Sequence, residues 1–245
     1  MSGPTPEELD AALAAFEARR DQVDWFRKQV ADFFTTSRVL TTGPLPAVHS
    51  VKSRVKDASH LKEKIARKWS AGPITAENFF ERINDAAGVR VLHLHSRQLE
   101  KIHRATMSQV EQGYWFLSEP PVAYSWDPEA TAFFQSLGLR AETRETYYTS
   151  IHYIVKPQER VDITCEIQVR TLFEEVWGEI DHALNYPHPT TSLPCKEQLR
   201  VLAKLASTGT RLADAIFAIR DSESAEAKPD IEERIAPQVH RSNMN

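Results

Sequence analysis

The stretch "ITCEIQVRT", residues 163–171, decides how the rest of the chain is read. Ile163, Cys165, Ile167 and Val169 alternate with Thr164, Glu166, Gln168 and Arg170, the period of two that marks a strand with one face in a core. The second row is the informative one, because it sets a carboxylate, an amide and a guanidinium in line. Such a face either meets water or lines a polar site, and the neighbouring segments choose between the two.

Working outward, "AGVRVLHL" (87–94) and "YYTSIHYIVK" (147–156) read as further strands, and "YWFLS" (114–118) as a short one. Along "YYTSIHY", Tyr148, Ser150 and His152 share one face while Tyr147, Thr149, Ile151 and Tyr153 take the other. Apolar spacing of three and four predicts helices over 4–34, 59–69, 75–85, 97–113, 172–184 and 197–220. Thr5 is the expected N-cap of the first, with Pro6 at its first helical position. Residues 119–144 read as a long connection holding one short helix, "PEATAFFQSLG". The pattern predicts an α/β (α+β) chain, a mixed β-sheet flanked by helices. Its organisation is expected to be an N-terminal helical segment over 1–45, a central domain over 46–190, a C-terminal helix over 191–222 and a loose polar tail over 223–245.

At 245 residues, 41% hydrophobic and 26% charged, the chain is long enough for a sizeable core. A net charge of −4 gives no global attraction for nucleic acid or an anionic membrane. No apolar run approaches the ~18 residues of a membrane span. Cys165 and Cys195 are far apart without CxxC spacing, which fits a reduced, cytoplasmic protein.

Positive charge is concentrated locally. Residues 51–68 hold seven Lys or Arg against two acids, so Arg54, Lys56, Lys64 and Lys68 could converge on a triphosphate from a loop and a helix face. Asp85, in "NDAAGVR" (84–90), stands at a helix-to-strand junction beside Gly88 and is a natural Mg²⁺ ligand, with Glu166 as the second acid that metal-assisted phosphoryl chemistry needs. His93, His95, Asp181 and His182 could be proposed as a metal cluster, but no HExxH or comparable spacing supports them.

Four blocks in order, "SRVKDASHLKEKIARK", "INDAAGVRVLHL", "YYTSIHYIVK" and "TCEIQVRTLFEEVWGEIDHALNY", resemble the synthetase domain of RelA/SpoT-type alarmone synthetases, particularly the small forms that lack a hydrolase domain. The resemblance implies a nucleotidyltransferase-related synthetase fold and transfer of the β,γ-pyrophosphate of ATP to the 3′-hydroxyl of GDP or GTP. It implies that Asp85 holds Mg²⁺ and that Glu166 assists the metal or accepts the hydroxyl proton. Arg54 and Arg90 match the arginines that sandwich adenine, and Lys56 and Lys64 those at the ATP phosphates. Tyr148 matches a tyrosine stacked on the acceptor guanine. His152, Gln168 and Arg170 match polar groups of the same cleft, with Glu179 and His182 on the following helix.

Two departures bear on the acceptor half. "LRAETRETYY" (139–148) replaces the usual lead-in to the tyrosine and puts Tyr147 where glycine is expected, and His60 stands where a serine is common. Two other readings therefore stay open: a toxin-like member that pyrophosphorylates the 3′ end of tRNA or makes adenosine alarmones, with a neutralising antitoxin partner, and an inactive nucleotide-sensing module. Retention of Asp85 and Glu166 speaks against the latter. A stripe of Leu199, Leu202, Leu205, Leu212, Ile216 and Ile219 on the last helix is expected to pack on the domain or on a second subunit of a homo-oligomer.

Overall fold

The computed structural model describes residues 3–186 and 188–226. Among these, α1 (Pro6–Glu17), α2 (Arg20–Thr36) and a single turn, α3 (Arg38–Thr41), precede the first strand. Then come β1 (Ser50–Val55), α4 (Ala58–Lys68), the short α5 (Phe79–Arg82), β2 (Ala87–His93), α6 (Gln98–Glu111) and β3 (Phe116–Leu117). β4 (Val122–Ser125), α7 (Pro128–Ser136), β5 (Arg140–Thr143), β6 (Ser150–Lys156), β7 (Cys165–Thr171), α8 (Leu172–Asn185) and α9 (Leu193–Glu226) complete the order.

The strands form one 7-stranded mixed sheet in the order β1-β2-β7-β6-β4-β5, with β3 pairing separately along β6. β2 and β7 are parallel at its centre, and β1 and β6 flank them antiparallel. The registers align side chains into rungs that cross four strands. Val51, Val91, Val169 and Ile151 make one rung of the apolar face, and Val55, Ala87, Cys165 and Val155 another. α2 packs on the sheet at β1, β2 and β7, and its Val23, Phe26, Val30 and Phe34 are buried there in a core shared with α1, α4 and α6. Burying each such side chain contributes roughly 1.5–3 kcal/mol. This layer holds the other face of the sheet open for polar work.

The structure departs from the sequence reading in four places. The helix expected over 4–34 is broken at Ala18 and Arg19, where the Arg19 guanidinium leaves the helix face to meet Asp162 at 2.7 Å and to lie 4.5 Å over the Phe80 ring. Its start is as read, with Thr5 and Glu8 exchanging hydrogen bonds in a capping box. The helix expected over 75–85 is reduced to Phe79–Arg82, because Asn78 Oδ1 accepts from the Thr75 amide at 2.8 Å and its Nδ2 donates to the Pro73 carbonyl, winding the preceding residues into a turn. The connection over 119–144 contains β4 and β5, a parallel edge pair bracketing α7. Four residues each are too few to display a period. Finally, α9 runs on to Glu226, and the loose tail expected over 223–245 lies from 227 onward outside the described residues.

Candidate active site

On the sheet face opposite α2, the registers that make apolar rungs on one side make polar rungs on the other. Lys52, Arg90, Gln168 and His152 line up across β1, β2, β7 and β6, and Arg54, Gly88 and Glu166 form the adjacent row. Nothing lies within 4 Å of where a Cβ would stand at Gly88, so the row is open to the cleft between Arg54 and Glu166. A cleft of about 610 Å³ opens over these rows, with α8 as its far wall.

The row that opened the sequence analysis closes into a ring. Gln168 Nε2 donates to Glu166 Oε2 at 2.7 Å, and Arg170 Nη2 donates to Gln168 Oε1 at 2.7 Å. Arg170 Nη2 also reaches the Tyr148 hydroxyl at 3.4 Å, that hydroxyl lies 2.9 Å from His152 Nε2, and His152 Nδ1 lies 3.0 Å from Glu166 Oε1. A carboxylate can only accept, so Nδ1 carries the proton and donates to Glu166. Burial alone would raise the Glu166 pKa; the hydrogen bond and charge of His152, helped by Gln168, outweigh it and leave the pKa below the usual carboxylate range. Glu166 is therefore an anion whose orientation is fixed from two sides. Each oxygen keeps a free lone pair.

The basic segment meets Asp85 at the other end of the cleft. Lys56, just beyond β1, and Lys64, on α4, both donate to Asp85 Oδ2. Against the cost of burial, these two ammonium groups bring the Asp85 pKa down to about 2. Lys56 is shifted down as well, by burial first and by repulsion from Lys64, with Asp85 pulling the other way. Two cations thus share one oxygen, and a positive surplus remains for an anionic ligand. Asp85 Oδ1 is buried without a hydrogen-bond partner among the described residues. Arg54 forms no hydrogen bond or ion pair with any described residue.

Beside the expected Glu179 and His182, α8 contributes a residue that the sequence reading did not single out. Glu175, only 4% exposed, accepts from Lys52 Nζ at 2.9 Å and Arg90 Nη1 at 2.8 Å, with Arg170 Nη1 3.5 Å from its other oxygen. Burial works to raise its pKa, and these cations more than offset it. Arg90 is bound to Glu179 as well, so the guanidinium expected beside adenine is held against the helix. Gly178 is what allows Arg170 to approach, since a Cβ there would stand 2.6 Å from Arg170 Nη1. At the rim, His182, Tyr186 and His60 stack with centroid spacings of 4.6 and 5.6 Å. The signal for this wall was the recurrence of Glu175, Gly178, Glu179, His182 and Tyr186 at three- and four-residue steps.

All ten residues proposed for catalysis and binding meet here. Arg54, Lys56, Asp85, Arg90, Tyr148, Glu166, Gln168 and Arg170 line the cleft, while His152 and Lys64 are bonded directly to its carboxylates. Tyr147 departs, meeting Trp126 edge-on behind the sheet. The histidines weighed as a metal cluster are not brought together: His93 lies behind the sheet and His182 at the cleft rim. Among the described residues no group of three or more His, Cys, Asp or Glu could hold a metal ion.

The lysine pairing predicts a pH signature. The folded pKa of Asp85 lies below its ordinary 3.8, so the pairing stabilises the fold above that value and is lost as pH falls toward 2. Asp85→Asn should cost on the order of 2 kcal/mol at pH 7, and urea titrations should show its gap from the native chain closing between about pH 4 and pH 2. A gap independent of pH would show that the carboxylate's charge is not what the lysines need.

Comparison with known proteins agrees with this geometry. Residues 53–191, more than half of the chain, match the family model described as a region found in RelA / SpoT proteins. A stretch of 85 residues is 35% identical to GTP pyrophosphokinase YjbM of Bacillus subtilis, spanning 33% of this chain and 39% of that protein. In fold, the chain is similar to the small alarmone synthetase 1 of Bacillus subtilis, at a TM-score of 0.61 and 20% identity over 86% of this chain and 98% of the other. The structure of that synthetase bound to its product pppGpp aligns at 0.57 and 21% identity, over 85% and 96% of the two chains. The chain that carries this ring and this paired aspartate belongs to the RelA/SpoT family.

Proposed function

We propose that the protein is an ATP-dependent pyrophosphokinase that transfers the β,γ-pyrophosphate of ATP to the 3′-hydroxyl of GDP or GTP, making (p)ppGpp. The observation that carries this reading is the position of Glu166, an ionised carboxylate between a cation-rich end, Lys56 and Lys64, and an aromatic end, Tyr148. ATP takes the first end, with its phosphates on the two lysines and its adenine within reach of Arg54. The acceptor takes the second, with its base against Tyr148. The names of the relatives, GTP pyrophosphokinase and a synthetase with bound pppGpp, fit this reading.

The chemistry asks little covalent work of the protein. The acceptor 3′-oxygen forms a bond to the β-phosphorus, the bond from that phosphorus to the α-phosphate bridge breaks, and AMP leaves with the electron pair. Glu166 accepts the hydroxyl proton through the lone pairs its ring leaves free, and Lys56 and Lys64 neutralise charge on the phosphoryl oxygens. Mg²⁺ suits this cleft: it binds through one or two carboxylates plus substrate phosphates, and the unpartnered, buried Oδ1 of Asp85 is such an oxygen. Asp85, with Glu166 beside it, would hold the ion, which would add positive charge at the transferring phosphates.

The setting follows from fewer observations. Both cysteines are free, Cys165 within the core, which supports the reading of a reducing, cytoplasmic compartment, and no helix among the described residues is long and apolar enough to cross a membrane. Of the stripe on α9, Leu199 is buried, whereas Leu205, Leu212, Ile216 and Ile219 are exposed, as are Phe173, Val176 and Ile180 of α8. An apolar face of this extent favours a homo-oligomer.

The deciding experiment supplies γ-labelled ATP and Mg²⁺ with GDP, GTP, ATP or bulk tRNA, each alone. Label should pass to GDP or GTP. Label on tRNA alone would replace this function with the toxin-like one and call for an antitoxin partner, and no transfer would indicate a nucleotide sensor. Glu166→Gln should lower the transfer rate by at least about 100-fold. Arg54→Ala should weaken ATP more than the acceptor, while Tyr148→Ala should cost about 1–3 kcal/mol of acceptor binding and spare ATP; calorimetry showing the reverse pattern would exchange the two halves. Light scattering at tens of micromolar should find an oligomer that Leu212→Glu with Ile216→Glu dissociates. A monomeric native chain would refute the interface.

A further inference from the structure

Arg90 reaches from β2, on the floor of the cleft, to α8, its far wall. There its Nη1 donates to two carboxylates at once, Glu175 Oε1 at 2.8 Å and Glu179 Oε1. The two acids differ in what the loss of Arg90 would cost them. The Glu175 side chain is 5% exposed and would keep Lys52 and Arg170 as partners. The Glu179 side chain, one helical turn further on, is 57% exposed and would return to water. An exposed pair of this kind contributes little to stability, because water solvates both charges and screens them. Burial acts to lower the Arg90 pKa, and Glu175 followed by Glu179 more than offsets it.

The floor beside Arg90 is open. Gly88 lies two residues back on β2, on the same face of the sheet, and pairs with Arg54 of β1. The space where its Cβ would stand is empty to 4 Å, and Arg54 has no partner among the described residues. A flat ring lowered onto Gly88 therefore meets a free guanidinium on one side. On its other side the guanidinium is drawn off to α8, with its charge matched by Glu179. Of two arginines suited to stack on a base, one is ready and the other is occupied.

We propose that Glu179 is an autoinhibitory latch on the donor half of the cleft: in the free chain it holds Arg90 against α8, and ATP must displace it before Arg90 can close over the adenine. Glu175 permits the movement, because its two other cations keep it from being stranded. A carboxylate at this place also repels the phosphates of an incoming nucleotide. Glu179 thereby sets the affinity for the donor without touching the group that is transferred. The inference rests on the proposed function only in taking ATP as the ligand of the cation-rich end.

The test titrates α,β-methylene ATP, whose bridge cannot be broken, with Mg²⁺ into the full chain by calorimetry. Glu179→Gln should tighten the analogue about three- to fivefold, the worth of an exposed ion pair, and should lower the KM for ATP in step while leaving that for the acceptor unchanged. Asp181→Asn removes the same charge from the same wall, where Asp181 accepts from Asn185, and should leave the affinity as it is. In an Arg90→Ala chain, Glu179→Gln should add nothing. Unchanged or weaker binding in Glu179→Gln would overturn the latch, as would an equal gain from Asp181→Asn or a gain that persists without Arg90, either of which would reduce the effect to net charge. Binding is read without turnover, so the gain in Glu179→Gln would stand even if no acceptor took label. A native chain that binds no analogue would overturn both the latch and the proposed function.

Discussion

The parallel pairing of β2 with β7 is the constraint on which the rest of the molecule depends. Its register puts Gly88 beside Glu166 and Arg90 beside Gln168, and in the same stroke sets Val89 beside Ile167 and Val91 beside Val169. A slip of one residue would turn every charged side chain into the core and every valine into the cleft. The hydrophobic layer under α2 therefore does more than stabilise. It selects the one register in which the carboxylate, the amide and the guanidinium reach the same space.

Holding so many charges near one another demands compensation, and the two ends of the cleft supply it differently. At Glu175 one buried carboxylate serves three cations, Lys52, Arg90 and Arg170, and this fixes side chains that would otherwise repel. At Asp85 one carboxylate serves two lysines and leaves an oxygen orphaned. A buried ion pair is seldom a source of stability, because desolvation offsets most of its attraction. On the proposed function the gain is preorganisation, with cations held where phosphate oxygens would develop charge, before any ligand arrives.

The legibility of the chain follows from the range of the interactions involved. The polar row of β7 and the acid at Asp85 could be read because strand alternation and a helix-to-strand junction are local patterns, and four blocks in order carried the family. Glu175 and Lys52 are not legible in this way, because an acid on a helix and a lysine in a basic run look the same whether they face water or a partner more than a hundred residues away. The break at Arg19 depends on Asp162 and Phe80, neither of which its own neighbourhood announces. Arg54 and Arg90 look equivalent in sequence, yet one has no partner among the described residues and the other is tied to α8. That difference arises from where a helix docks.

The same alternation that sorts core from cleft also ties the two faces of the sheet together. Tyr147 lies behind the sheet and Tyr148 in the cleft, Thr171 and Arg170 divide in the same way, and Glu174 and Glu175 do so on α8. Each of these pairs is joined by a single peptide, so neither member can move far without its neighbour. Tight packing on both faces therefore makes the position of each cleft side chain depend on how its neighbour behind the sheet is packed.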